Sequence, residues 1–115
     1  MSLPERPLGR TGHLATILGL GGEGVLRTHG EDQGAQAVIE AALDAGILYF
    51  ESARAYLGSE AYLGRNLKGR RDRIFLTSKS HGRTYKEAMA HLSITLKNLD
   101  TDHLDLWQVH DMRTE

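Results

Sequence analysis

Three residues of this sequence are placed as the parts of a reacting site would be. Glu51, Lys79 and His110 each follow a short strand-like run: Tyr49-Phe50, Thr77-Ser78 and Gln108-Val109. Side chains of a strand alternate between its faces. Counting back by twos therefore sets Glu51 with Tyr49 and Ile47, Lys79 with Thr77 and Phe75, and His110 with Gln108 and Leu106. If those faces are the inner faces of parallel strands, a carboxylate, an ammonium and an imidazole converge at one mouth. The loop 53–59 then brings a phenol, Tyr56, over the same mouth.

Such a set suits proton transfer to a carbonyl oxygen. A free tyrosine, with a pKa of about 10, donates its proton poorly at neutral pH. An ammonium beside a phenol favours the phenolate, and a carboxylate holds the ammonium in place. A histidine hydrogen-bonds a developing oxyanion and orients the substrate. General-acid assistance of this kind is typically worth about 10²–10⁴ in rate. Each residue alone has an ordinary reading: a strand-end lysine reaching solvent, a satisfied structural histidine, a surface glutamate. Their coincidence at successive strand ends is what carries the argument. Tyr62 is a rival phenol, but it falls inside a helical stretch and is expected to pack.

The elements that must position these groups are legible in the hydrophobic pattern. Residues 6–18 read as a small hairpin around the turn-rich Gly9-Arg10-Thr11-Gly12. Ala35, Val38, Ile39, Ala42 and Leu43 recur at helical spacing over 32–45, and Gly46 suits a helix stop. A buried strand follows at 47–50. Ser59 and Glu60 open a second helix, with Leu63 and Leu67 on one face and Gly69 closing it. A strand is predicted at 73–78. Thr84-Tyr85-Lys86-Glu87 is a capping box, and the helix it opens points Ala88, Leu92, Thr95, Leu96 and Leu99 inward. A last strand covers 104–109, where Trp107 is expected to pack under a helix. Continuous apolar strands alternating with amphipathic helices argue for parallel strands covered by helices. Right-handed crossovers put every strand's C-terminal end on one side, where βα barrels keep their active sites.

The remaining signals exclude more than they assign. The chain has 115 residues, a net charge of -1 and no cysteine. It offers no general attraction to nucleic acid or anionic membrane, no disulfide framework and no thiolate metal site. No apolar stretch approaches the roughly 20 residues that span a bilayer. The polar start does not read as a secretory signal, so a cytoplasmic location is expected. Gly19-Leu20-Gly21-Gly22 lacks the full dinucleotide fingerprint and reads as a tight loop at a strand's end. His13, His29, His81, His91 and His103 lack metal-ligand spacing and are expected at the surface, and no metal site is expected. The basic run Lys68-Gly69-Arg70-Arg71-Asp72-Arg73 follows a helix end, where positive charge complements the helix dipole; a phosphate site is the lesser reading.

Several segments, in order and at plausible spacing over nearly the whole chain, resemble those of one family. Phe50-Glu51-Ser52-Ala53-Arg54-Ala55-Tyr56 followed by Gly58-Ser59-Glu60 resembles the F-D-T-A-x-x-Y-G-x-S-E region of aldo-keto reductases. Leu67 to Asp72 before Ile74-Phe75-Leu76-Thr77-Ser78-Lys79 resembles the approach to that family's lysine. Leu99-Asp100-Thr101-Asp102-His103-Leu104-Asp105-Leu106-Trp107-Gln108-Val109-His110 is similar to its L-x-T-D-Y-I-D-L-Y-Q-x-H strand. Leu8-Gly9-Arg10-Thr11-Gly12 and Leu18-Gly19-Leu20-Gly21 fit its opening.

The resemblance implies a (β/α)₈ barrel, here a partial one of about four parallel strands with helices, preceded by the hairpin. Residues 1–115 would be a single-domain, N-terminal part of it. The resemblance also implies reduction of aldehyde or ketone carbonyls with NADPH, or NADH, as hydride donor. Tyr56 would donate the proton, Lys79 would be its partner, and His110 would orient the substrate. Glu51 stands where the family has aspartate, one methylene longer. Gly21 and Glu51 are the candidate cofactor-binding residues; most of the family's cofactor grip lies on later strands, so these residues alone are expected to be inactive. A small-molecule carbonyl compound is the expected partner. The alternative is a non-catalytic scaffold or regulatory binding module of the same fold.

Overall fold

The computed structural model describes residues 2–113. It opens with an antiparallel hairpin, β1 (Glu5–Pro7) and β2 (Leu14–Thr16), whose turn is tied by the Thr11 hydroxyl donating to the Leu8 carbonyl at 2.6 Å. Helices and strands then alternate: α1 (Asp32–Asp44), β3 (Tyr49–Glu51), α2 (Ser59–Asn66), β4 (Phe75–Ser80), α3 (Tyr85–Leu99) and β5 (Leu106–Val109). β3, β4 and β5 form a parallel sheet in that order. The first of the four expected parallel strands is short. Leu20 alone bridges Phe50, its N–H donating to the Tyr49 carbonyl at 2.9 Å and its carbonyl accepting from Glu51 at 3.0 Å. Glycines on both sides of Leu20 weaken any longer strand there.

The outer face of the sheet is the core. Phe50 and Leu76 pack with Leu26, Ile39, Leu63 and Leu99 from the surrounding helices and turn. α1 contributes Ala35, Ile39 and Ala42, the centre of the predicted stripe. Val38 and Leu43, also expected inward, sit at its margins; Val38 is exposed and Leu43 half-buried. α2 and α3 touch backbone to backbone at Gly64: a Cβ there would lie 2.2 Å from the Asn98 carbonyl oxygen, so no larger residue fits without moving a helix. The capping box of α3 forms as predicted, Thr84 Oγ1 accepting from Glu87 N–H at 3.2 Å. The Glu87 carboxylate accepts from the N–H groups of Arg83 and Thr84, which hold its carboxyl below the ordinary range.

α3 departs from expectation along its length. Thr95 and Leu99 are buried, but Ala88, Leu92 and Leu96 are only half-buried. The helix packs on α2 and β4, which cover one side of its apolar stripe. β5 shows the same asymmetry: Trp107 is half-buried and Val109 is 56% exposed. Three residues of the basic run after α2, Lys68, Arg70 and Arg71, are engaged in ion pairs. Arg70 grips both oxygens of Glu40 at 3.1 Å, Lys68 lies 3.6 Å from Asp100, and Arg71 bonds Thr101, Asp105 and the carbonyls of Ile74 and His103.

Candidate functional site

The register of the sheet builds the site as a staircase. Glu51 is level with Thr77, Thr77 with Leu106, and Lys79 with Gln108. Lys79 therefore stands two residues beyond the level of Glu51, and His110 two residues beyond the level of Lys79, on the same face. At the foot, the rings of Tyr49 and Phe75 stack 5.0 Å apart, and His13 from the hairpin covers Phe75 at 4.5 Å. Above them stand Glu51 and Thr77, then Lys79 and Gln108, whose amide oxygen accepts from the Thr77 hydroxyl at 2.9 Å. His110 lies one step beyond, its N–H bonded to the Ser80 carbonyl at 2.8 Å. Burial, with the Glu51 carboxylate adding to it and Lys79 opposing, raises the pKa of the Tyr49 phenol.

Lys79 reaches back down the staircase. Its ammonium pairs with Glu51 Oε2 and donates to the Ser52 carbonyl at 2.8 Å. Glu51 uses its other oxygen to accept from the Gly22 N–H at 2.9 Å. The longer carboxylate thus spans two anchors, one on the sheet and one on the loop after Leu20. Gly22 is required there, because a Cβ would lie 2.5 Å from the Ser59 hydroxyl and 2.9 Å from the Glu51 carbonyl. Lys79 Nζ is also 4.9 Å from the centre of the Tyr56 ring, and the His110 ring meets Tyr56 edge-on at 5.4 Å. The four side chains singled out in the sequence therefore share one face and one mouth.

The two tyrosines have different fates. Tyr62 is buried in α2, and its hydroxyl accepts from the Glu31 N–H at 2.9 Å and shares a hydrogen bond with Thr28 at 3.1 Å. The Tyr56 ring is held on several sides, yet among the described residues its hydroxyl has no hydrogen-bond partner. A phenol with a fixed ring and a free hydroxyl is the one placed to exchange a proton with something that binds beside it.

Sequence reasoning missed the network beneath the Tyr56 loop. Glu60 is 1% exposed; it pairs with Arg54 and accepts from the Ser78 hydroxyl at 3.0 Å. Ser52 donates to Ser59 at 2.8 Å. Together they tie the loop 53–58 at both ends, to α2 and to β4. The signal was available: Glu60, Leu63 and Leu67 fall at i, i+3 and i+7, so the carboxylate shares the inward stripe and needs a buried partner. Arg27, whose guanidinium carbon lies 5.1 Å from the centre of the Tyr56 ring, was missed as well. Nothing in its local pattern marks it, since its approach depends on the fold of the turn at Gly24–Leu26.

Two of the histidines expected at the surface are instead engaged. His13 packs on Phe75, and His91 Nδ1 is 2.8 Å from the hydroxyl of buried Ser80. Among the described residues no group of three His, Cys, Asp or Glu side chains is placed to hold a metal ion, and no helix is long and apolar enough to cross a membrane. A cleft of about 660 Å³ lies away from the mouth, where loops enter β4 and β5, lined by Arg71, Lys97 and His103 among others. Arg71 there is consumed by the structural bonds already described.

Known proteins resemble this chain in sequence and fold. The model of the aldo/keto reductase family matches residues 17–115. The aldehyde reductase YPR1 of Saccharomyces cerevisiae is 36% identical over 83 residues, covering 70% of this chain and 26% of that protein. A solved aldo-keto reductase of Pseudomonas aeruginosa superposes with a TM-score of 0.80 at 33% identity, over 91% of this chain and 45% of that one. An aldo-keto reductase of Klebsiella pneumoniae, solved in complex with NADPH, gives a TM-score of 0.78 at 26% identity, over 89% and 37%. The chain thus spans less than half the length of these proteins, and its sheet and helices are part of a (β/α)₈ barrel. The matched region contains Glu51, Lys79 and His110 at or beside the strand ends and Tyr56 in the loop after β3, and the chain belongs to the aldo/keto reductase family.

Proposed function

We propose that the protein carrying this chain reduces aldehyde or ketone carbonyls with a nicotinamide cofactor, NADPH or NADH, and that Tyr56 delivers the proton. The observation that carries the reading is the contrast around Tyr56: a ring fixed by Lys79 and His110, with a hydroxyl at the mouth that has no hydrogen-bond partner among the described residues. A reduced nicotinamide, when bound, supplies hydride to the carbonyl carbon. Gly21 and Glu51 fit its reactive end. Gly21 is exposed beside the mouth, and a Cβ there would meet only Glu51 Oε1, at 3.5 Å, so its backbone is open to a flat ring.

The chain's own residues then account for the oxygen. As the carbonyl bond's electron pair moves onto oxygen, Tyr56 Oη passes its proton there, and the Lys79 ammonium stabilises the negative charge left on the phenol. The His110 imidazole donates to the same oxygen and fixes its direction. Glu51 keeps the ammonium from swinging to solvent. Glu60 and Arg54 hold the loop so that Tyr56 needs no rearrangement at the moment of transfer. The same reading puts the protein in the cytoplasm with a small carbonyl compound as its partner. It also makes the 115 residues alone nearly inactive, because they supply only the nicotinamide end of the grip.

The test is isotopic. With NADPH carrying deuterium at both positions of C4 of the nicotinamide, the full-length protein should convert 4-nitrobenzaldehyde to alcohol carrying deuterium on the carbinol carbon. The 115 residues assayed alone should give little product. Alcohol formed without that deuterium, or no NADPH-dependent alcohol from the full-length protein, contradicts the proposal.

A further inference from the structure

We infer that Arg27 is a specificity-determining residue that selects carbonyl substrates bearing an anionic group, a carboxylate or phosphate held a short distance from the reacting carbon. The inference rests on the reductase reading of the same mouth.

Among the described residues, Lys79 and Arg27 lie against the Tyr56 ring and Arg54 stands in the same loop, and the three cations are committed to different degrees. Lys79 is consumed by Glu51 and the Ser52 carbonyl, with its side chain 15% exposed. Arg54 is consumed by Glu60, which is itself buried. Arg27 lies against the Tyr56 ring at 5.1 Å, yet its side chain is 44% exposed, and its one carboxylate partner among the described residues is Glu23 at 3.0 Å, four residues earlier and 57% exposed. Exposed pairs of that kind are worth little and exchange readily. A guanidinium, by contrast, offers a planar fork that matches a carboxylate or phosphate with two parallel hydrogen bonds. The contact with the aromatic ring holds that fork at the mouth, close to the group that would protonate the carbonyl. A neutral substrate would leave the fork with Glu23, whereas an anionic one would replace Glu23 and be pulled over Tyr56.

A matched pair of aldehydes separates this from the reductase reading: 4-carboxybenzaldehyde and its neutral methyl ester, assayed on the full-length protein. The ratio of their kcat/KM values is the readout, so any loss common to both, arising from Arg27 touching the Tyr56 ring, cancels. Arg27→Met should lower the ratio by about tenfold to a hundredfold, the usual reach of a bidentate charged contact, mostly through KM. Arg27→Lys should recover part of it, and Glu23→Gln should raise it above wild type. An unchanged ratio in Arg27→Met overturns the inference. Benzoate binding supplies the readout that does not need turnover. In the ¹⁵N spectrum of the arginine Nε–H groups, benzoate should shift the Arg27 signal and benzamide should not. A protein inactive on both aldehydes that still shows this shift would sink the reductase reading and keep the anion site; equal shifts from both ligands, or none, would sink the anion site.

Discussion

The half of the molecule built on β3, β4 and α2 and the half built on α3 and β5 obey the same βα pattern but are completed to different degrees. In the first, Phe50, Leu63, Leu76 and Tyr62 are all 2% exposed or less, and even the charged Glu60 is buried with partners. In the second, Leu92 and Leu96 stay half-buried, Val109 is 56% exposed, and the buried Thr95 hydroxyl is without a hydrogen-bond partner among the described residues. The site residues divide along the same line. Glu51, Tyr56 and Lys79 belong to the well-packed half and hold one another; His110 stands at the end of β5 and reaches them through one ring contact. A site in which Glu51, Tyr56 and Lys79 are braced by a completed core can keep its geometry even where the neighbouring strand is less covered.

That comparison can be broken by mutation. The largest effect is expected at Glu60→Ala, which would strand Arg54 and Ser78 beneath the Tyr56 loop. Removing one partner of a buried pair typically costs 3–5 kcal/mol, and because Arg54 is partly exposed we expect about 3 kcal/mol. Urea unfolding measures it, and a cost under about 1 kcal/mol would mean that the network is not a brace. Next comes a paired truncation. Leu63→Ala should cost about 3 kcal/mol, as for a fully buried leucine, and Leu96→Ala about 1 kcal/mol, in proportion to its partial burial. Equal costs would erase the asymmetry between the two halves. The smallest effect has the opposite sign. Thr95→Val removes a buried hydroxyl that makes no bond and should stabilise by about 1 kcal/mol; a loss of stability would show that the hydroxyl is satisfied.

Much of this was legible before any coordinates. Period-two counting placed Glu51, Lys79 and His110 on one face because strand parity is a local property, and the capping box at Thr84 and Glu87 is likewise local. The loop 53–59 put Tyr56 over the same mouth, and the family resemblance implied its role. What local pattern does not hold is the two-residue stagger between strands, which decides that Lys79 reaches down to Glu51, and the turn that lays Arg27 against Tyr56. The glycine-rich stretch read as a loop supplies the first parallel pairing as the single bridge at Leu20, because pairing there depends on the approach of Phe50 across the chain. The inward set of α3 was overestimated because periodicity marks an apolar face but not what covers it.

The central claim is that the free hydroxyl of Tyr56 is the proton donor. Tyr56→Phe keeps the ring and therefore its contacts with Lys79, Arg27 and His110. Steady-state reduction of a reactive aldehyde by the full-length protein, with NADPH affinity titrated separately, tests the claim most directly. The account predicts that turnover falls by about 10²–10⁴, equivalent to about 3–5 kcal/mol of barrier, while NADPH affinity stays nearly unchanged. A Tyr56→Phe protein that retained most of its turnover would contradict it.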